Sequence, residues 1–99
     1  MRSQYSPYAD YYARYYVRQP SPELRTKAER RNWRTCNNTF KCFDESDRSI
    51  LVDFYQKRGD SSAESHAYRI AREHGITVEQ VWGLVTKFQR KFAKKRGLI

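Results

Sequence analysis

Four side chains in this 99-residue sequence are chemically suited to bind a metal ion: Cys36, Cys42, His66 and His74. Structural zinc sites use ligand pairs at short spacings, such as C-x2–4-C and H-x3–5-H. Five residues separate the two cysteines and seven separate the two histidines, so neither pair has that spacing. We therefore interpret the set as two buried thiols and two ordinary histidines, and we expect no metal and no cofactor.

The sequence contains no arrangement of residues that is typical of catalysis. It has no paired carboxylates in an apolar setting, no nucleophile elbow and no glycine-rich loop that would hold a phosphate. Only four glycines are present, which leaves little room for such loops. We expect a binding protein and not an enzyme.

Positive charge is the strongest chemical signal in the chain. The sequence has 20 Lys and Arg against 11 Asp and Glu, which gives a formal net charge of +9. Within residues 77–99, six basic residues stand against one acid, Glu79. A basic stripe on one element is the electrostatic pattern of a phosphate-binding surface. The alternative is a solvated helix face with no ligand.

The elements that would position these groups are helices. Periodicity predicts an all-α fold, a small helical bundle of about five helices with a C-terminal helix-turn-helix. Residues 1–19 form a tyrosine-rich arm or short helix, and residues 20–99 form a helical domain whose core motif spans 64–96. No segment approaches the roughly 20 apolar residues that cross a bilayer, and no apolar run that would make a secretory signal follows Arg2. We expect a cytoplasmic protein with no membrane partner.

Capping residues and apolar stripes set the expected boundaries and inner faces of these helices. The expected helices are, in chain order, one from a cap at Ser6, one from Ser21-Pro22 to about Lys41, one from Ser46 or Asp47 to about Arg58, one from a Ser61/Glu64 box to His74, and one from a Thr77/Gln80 box. The expected inner faces are Leu24, Ala28, Cys36 and Phe40, with Trp33 beside them; Ile50, Leu51, Phe54 and Tyr55; Ala67, Ile70 and Ala71; and Val78, Val81, Leu84, Val85, Phe88 and Phe92.

The most specific pattern lies between residues 67 and 84. Ala71 supplies the small residue needed where two helices cross, and Gly75 follows four residues later and tolerates a positive φ. His74 stands where such motifs usually have leucine, and we expect it either half-buried and neutral or pointing outwards. Three apolar residues then follow at offsets typical of the motif: Ile76, Val81 and Leu84.

Several short segments together carry a further resemblance. They are Asp47-Arg48-Ser49-Ile50-Leu51, Phe54-Tyr55, Ile70-Ala71, Gly75-Ile76-Thr77 and Val81-Trp82, ahead of a basic tail. Over residues 43–96 the chain resembles the promoter-reading C-terminal domain of bacterial sigma factors and small sigma-like proteins of phages and mobile elements. The resemblance implies a helix-turn-helix regulator of transcription that binds double-stranded DNA. Glu79 and Gln80 stand where sigma factors carry arginines.

The phase of the last helix separates two kinds of expected DNA contact. Residues at the start of such a helix approach base edges, so Gln80 is suited to adenine and Glu79 to cytosine. Thr86, further along, is suited to a thymine methyl or a phosphate. Basic residues further along are placed for phosphates, as are Arg69 and Arg72 on the outer face of the preceding helix. The full candidate set for nucleic-acid binding is Arg69, Arg72, Thr77, Glu79, Gln80, Gly83, Thr86, Lys87, Arg90, Lys91 and Lys94.

Some of these residues also have a purely structural explanation. Glu79 and Gln80 suit the start of a helix without any ligand, because acidic and capping groups are favoured there. Lys95 and Arg96 suit the negative end of the helix dipole in the same way. Trp82 lies at the boundary of the inner face, where a core position is expected more than a contact.

The tyrosines near the N-terminus support a second hypothesis. Six of the first sixteen residues are tyrosine, which is more than a minimal DNA-binding domain needs. Either the rings pack on the domain behind them, or they form an aromatic and basic arm that stacks on bases or meets a protein. Such a protein partner would be RNA polymerase or a nucleoprotein effector, bound in the manner of a phage-encoded inhibitor or anti-CRISPR protein. The partner-binding candidates are Tyr8, Tyr11, Tyr12, Arg14, Tyr15 and Tyr16.

Overall fold

Five α-helices make up most of the residues that the computed structural model describes, namely 5–18, 26–56 and 63–99. The helices are α1 (Ser6–Arg18), α2 (Lys27–Phe40), α3 (Glu45–Gln56), α4 (Ala63–His74) and α5 (Val78–Arg96). No strand occurs in these three ranges, and the predicted all-α bundle is confirmed. The predicted helix signals at Ser21-Pro22 and Ser61, the predicted inner-face residue Leu24, and the extension of α3 to Arg58 lie outside the described residues.

Side-chain caps determine where α2 and α3 begin. The Thr26 hydroxyl accepts a hydrogen bond from the Glu29 N–H at 3.1 Å, and the Asp44 carboxylate accepts one from the Asp47 N–H at 2.8 Å. Each cap satisfies an N–H that has no partner within the helix. The predicted starts were wrong here: α2 begins later than expected, and α3 begins before the expected caps Ser46 and Asp47.

The structure confirms the predicted turn between α4 and α5, both the positive φ at Gly75 and the capping box of Thr77 and Gln80. Gly75 has a φ of 67°, and the N–H of Ile76 donates to the Ala71 carbonyl at 3.0 Å, which closes the C-terminal end of α4. The Thr77 hydroxyl accepts from the Gln80 N–H at 3.1 Å, and Gln80 Oε1 accepts from the Thr77 N–H at 2.8 Å. This reciprocal capping box starts α5 after a three-residue turn.

The fifth helix is the centre of the bundle and packs against all four of the others. Phe88 is completely buried, and its ring centroid lies 4.7 Å from that of Phe40, 5.6 Å from that of Tyr55 and 6.3 Å from that of Phe92. The predicted inner faces of α3 and α4 are confirmed in full. The inner face of α5 is also confirmed, although Val78 and Leu84 remain half-buried.

The predicted inner face of α2 is correct only from its middle onwards. Cys36 and Phe40 are buried, and burial raises the pKa of the Cys36 thiol to about 12, so it stays protonated and unreactive. Ala28 is exposed because it lies in the first turn of the helix. Cys42 is also exposed, since it follows the end of α2, and the expectation of two buried thiols was wrong for it.

The first helix packs inside the bundle, against α2, α3 and α5. Ala9 and Ala13 are completely buried, and Tyr8, Tyr12 and Tyr16 pack against the core. The Tyr16 ring stacks on Phe40 with centroids 5.2 Å apart. Of the two alternatives for the tyrosine-rich segment, packing on the domain is confirmed for these three rings.

A buried polar cluster joins α1 to α3 and α5. The Tyr55 hydroxyl donates to Asp10 Oδ1 at 2.7 Å, and Gln89 Nε2 donates to the same oxygen at 2.9 Å. Burial raises the pKa of Tyr55 and the adjacent Asp10 raises it further, so the phenol keeps its proton. Ser6 was expected to be a helix cap. Its buried hydroxyl donates instead to Gln89 Oε1 at 3.2 Å.

A second polar cluster joins α1, α2 and α5. Asn32 is 2% exposed, and its Oδ1 accepts hydrogen bonds from the Tyr8 hydroxyl at 3.2 Å and from Arg96 Nε at 2.6 Å. A buried amide oxygen has two lone pairs, and both are used here. The cluster therefore fixes the C-terminal turn of α5 against the first two helices.

The two histidines connect α4 to α3. His66 is completely buried. Arg69 donates to its Nδ1 at 2.6 Å, so its Nε2–H donates to the Phe54 carbonyl at 2.5 Å. His74 is half-buried, and its Nε2 lies 2.8 Å from Asp53 Oδ2. Of the two placements expected for His74, the half-buried one is observed.

Candidate nucleic-acid interface

One face of α5 remains outside the bundle because its opposite face is in the core. Gly83, Thr86, Lys87, Arg90 and Lys94 are exposed on this outer face, and Lys91 is half-buried at its edge. These six residues line an open depression of about 380 Å³. The four basic residues among them, Lys87, Arg90, Lys91 and Lys94, are called the basic row below.

The basic row follows from helical spacing. Arg90 and Lys91 each lie three or four positions from both Lys87 and Lys94, so the Cβ atoms of these pairs are about 5–6 Å apart. The row extends roughly 10 Å along the helix axis. Like charges at this spacing repel each other in an isolated helix. None of the four forms an ion pair with any acid in the described part of the chain, so a bound anion would relieve that repulsion.

Lys87 is the member of the row whose position is best defined. Its Nζ lies 5.7 Å from the centroid of the Phe43 ring, which is 4% exposed. An ammonium group over an aromatic face is attracted by the electrons of the ring. This contact holds the charge at the edge of the depression while leaving Lys87 exposed.

The first turn of α5 differs from the basic row in chemistry. The predicted site residues Thr77 and Gln80 bond to each other's backbone in the capping box, and Glu79 is exposed. A second depression of about 280 Å³ lies beside this turn, between α3 and α5. Its lining residues are Asp47, Ile50, Ile76, Gln80, Gly83, Leu84 and Lys87.

The two predicted arginines of α4 are placed differently. Arg72 is exposed, as expected. Arg69 is half-buried and donates to His66, so the expectation that it lies on the outer face was wrong. The buried imidazole needs a donor for its Nδ1 atom, and Arg69 supplies it. Trp82 is half-buried, and its ring lies 5.6 Å from Phe54, which agrees with the expected core position.

The structure adds one cation that sequence reasoning did not place near α5. The Nη2 atom of Arg31 lies 4.0 Å from the position that a Cβ would take at Gly97. Gly97 has a φ of 82° and ends α5. The periodicity of α2 places Arg31 on an outer face, but which neighbour that face approaches depends on how α2 packs on α5.

The partner-binding candidates on α1 divide into inner and outer residues. Tyr11 is 58% exposed and packs edge-on against Tyr12, with centroids 5.0 Å apart. Tyr15 and Arg14 are half-buried. Gln89 and Phe92 of α5 contact α1, whereas the basic row points away from that side. Tyr11 and Tyr15 on α1 therefore belong to a different surface from the basic row. The six candidates comprise Tyr8, Tyr12 and Tyr16, which pack inward, and Tyr11, Arg14 and Tyr15.

Residues 5–18, 26–56 and 63–99 contain neither a metal site nor a membrane-spanning helix. No three side chains of the His, Cys, Asp or Glu type converge there as metal ligands would. No helix there is both long and apolar enough to cross a bilayer. Within these ranges, the basic row is a surface whose charge indicates the kind of ligand, namely an anion.

Comparisons with known proteins give no match. Neither the protein-family models, nor the curated proteins, nor the solved structures contain a significant counterpart of this chain. The resemblance to sigma C-terminal domains therefore remains a prediction from the residues quoted above.

Proposed function

We propose that this chain is a small DNA-binding protein of the helix-turn-helix type that holds the phosphate backbone of double-stranded DNA against α5. The observation that carries the proposal is the basic row, whose four cations lie on one helix face and form no ion pair with an acid among the described residues. Phosphate contacts from Lys and Arg supply most of the affinity of proteins for DNA. A role in transcription regulation, as the sigma-like resemblance implies, is part of this proposal.

The helices around α5 support the proposal because they make its outer face rigid. The capping box fixes the start of α5, and the Asn32 cluster fixes its last turn. Phe88 and Phe92 anchor the middle of the helix in the core. Because the helix backbone is already ordered, binding of a ligand has to order only the long basic side chains, which lowers the entropic cost of binding.

The double variant Lys87→Ala/Arg90→Ala tests the proposal. Both residues are exposed, so we expect the variant to fold and to bind a duplex about 10- to 100-fold more weakly, through the loss of two charged contacts. Fluorescence anisotropy with a labelled duplex at moderate salt measures the affinity, and circular dichroism measures folding.

The matched control is Lys27→Ala/Arg34→Ala, which removes the same charge from an exposed face of α2. If net charge alone attracts DNA, the two double variants will weaken binding equally. Unchanged affinity in the α5 variant would contradict the proposal.

A second candidate function is docking on a protein, such as RNA polymerase or a nucleoprotein effector, as expected of a phage-encoded inhibitor. The observation that favours it is Tyr11, a large ring that is 58% exposed on a surface away from the basic row. Tyrosines of this kind are frequent among residues that dominate binding at interfaces.

The variant Tyr11→Ala/Tyr15→Ala tests this candidate without removing α1, whose alanines are part of the core. If the tyrosine surface binds a protein, wild type will retain a partner from nuclease-treated host extract, and this variant will lose at least about 90% of it, since interface tyrosines carry large shares of binding energy. Tyr68→Ala, on α4 and 57% exposed, is the matched control. Equal retention by all three proteins would dismiss the candidate.

A further inference from the structure

We infer that α5 binds the sugar-phosphate backbone of duplex DNA without reading base sequence. This inference rests on the proposed function and concerns the way in which the same surface recognises its ligand. It depends on three observations: the first turn of α5 is occupied by its own cap, the acids lie at that end, and no exposed aromatic ring accompanies the basic row.

The side chains that would read bases are already engaged. In helix-turn-helix proteins the N-terminal residues of the recognition helix contact base edges. Reading adenine requires both the oxygen and the amino group of a glutamine amide. Here Gln80 Oε1 accepts from the Thr77 N–H, and the Thr77 hydroxyl accepts from the Gln80 N–H. Turning the Gln80 side chain towards a base would break the hydrogen bond from the Thr77 N–H, which is one of the two bonds of the capping box.

The charges around the first turn also oppose insertion of this end into a groove. Glu79 is exposed on it, and Asp47 lines the adjoining depression. Carboxylates in this position would face the phosphates on either side of a groove. The distance between carboxylate and phosphate would be short enough that salt does not screen their repulsion completely. Gly83, one turn further along, has no side chain with which to reach a base.

The basic row has dimensions that suit a phosphate strand. It extends about 10 Å along α5, and successive phosphates of one DNA strand rise about 3.4 Å along the duplex axis. Four phosphates span three such rises, so the four cations are opposite about four phosphates. Gly83 and Thr86 leave a depression between the helix surface and the long basic side chains, so a backbone can approach closely.

The ligand form that fits this surface is a duplex and not a single strand. Proteins that bind single strands stack bases on exposed aromatic rings. No residue that lines the basic depression is aromatic. The exposed rings of Tyr11 and Tyr68 belong to α1 and α4, and Trp82 packs on Phe54. Phosphates are the groups that this surface can contact.

The first experiment measures the affinity of the full chain for four labelled 20-base-pair duplexes of unrelated sequence, and for one single strand, over a range of salt concentrations. We expect the duplex affinities to agree within about threefold and to exceed that of the single strand. With four phosphate contacts, log K should fall against log salt with a slope of about −3.6, and Lys94→Ala should reduce the slope by about 0.9.

The second experiment uses Glu79→Gln, which separates repulsion from base reading. If Glu79 only repels phosphates, the variant will bind every duplex about twofold more tightly, as expected for two charges about 8 Å apart in water. If Glu79 reads cytosine, the variant will lose affinity for particular sequences only. Thr86→Ala is a companion variant, because the Thr86 hydroxyl is the uncharged polar group that lines the depression beside the basic row.

The outcomes distinguish this inference from the proposed function. Selection from a random duplex library that yields a motif bound more than about 100-fold above random sequence, the discrimination that about one to three base pairs provide when they are read, overturns the inference and leaves DNA binding intact. Tighter binding of the single strand also overturns it. Failure to bind any duplex at low salt overturns both the inference and the proposed function.

Discussion

Replacement of Phe88 with alanine is expected to lower the free energy of unfolding by about 3–5 kcal/mol. The side chain is completely buried, and it meets Phe40, Phe43, Tyr55 and Phe92, which come from α2, the α2–α3 connection, α3 and α5 itself. The neighbouring rings are held on separate parts of the bundle and cannot collapse fully into the space that the phenyl group leaves, so the variant loses both burial and packing.

This loss is large for a domain of 99 residues, because such domains have a total stability of only about 5–15 kcal/mol. The melting temperature should fall by about 15–30 °C, as measured by circular dichroism. Tyr68→Ala removes an aromatic ring of similar size from an exposed position and should change stability by less than about 0.5 kcal/mol. A fall of only a few degrees in Phe88→Ala would show that the aromatic cluster is not the main stabiliser of the fold.

The second large effect is expected at Asp10. Asp10→Ala removes the acceptor shared by the Tyr55 hydroxyl and Gln89 Nε2, and both donors are buried. A buried donor without an acceptor destabilises a protein by about 1–3 kcal/mol. With two donors affected, we expect a loss of about 2–4 kcal/mol in urea denaturation.

Asp10→Asn is the control because its side-chain oxygen can still accept from both donors. We expect Asp10→Asn to retain more than half of the stability that Asp10→Ala loses. If the asparagine variant is as unstable as the alanine variant, the carboxylate charge stabilises α1, and the two hydrogen bonds contribute little. Because the cluster lies away from the basic row, neither variant should change DNA affinity at a temperature where it is folded.

The features that the sequence predicts correctly depend on neighbouring residues in the chain. The stripes of α3 and α4 follow from helical periodicity, and the turn at Gly75 and the Thr77/Gln80 box involve residues at most a few positions apart. The outward direction of the basic row follows in the same way, since the buried phase of α5 fixes the opposite face. Local geometry is sufficient for each of these.

The features that the sequence does not predict depend on which helices become neighbours. Asp10 and Gln89 are polar residues that a periodicity argument assigns to the surface, yet they are buried because each satisfies the other. Arg69 was expected to face outwards and turns instead to His66. Competition between equally plausible caps explains the errors at the starts of α2 and α3, where Thr26 and Asp44 are used.

The pairing of α1 with α5 has a consequence for the time at which the protein acquires its shape during synthesis. The bonds from Ser6 and Asp10 to Gln89 join positions 83 and 79 residues apart. Of the five helices, translation makes α1 first, but its partner α5 emerges only after all four other helices have been synthesised. Because α5 contacts every other helix, the nascent chain cannot close its interior before that moment. We expect folding to be a late, all-or-none event in which the basic surface and the interior that supports it form together.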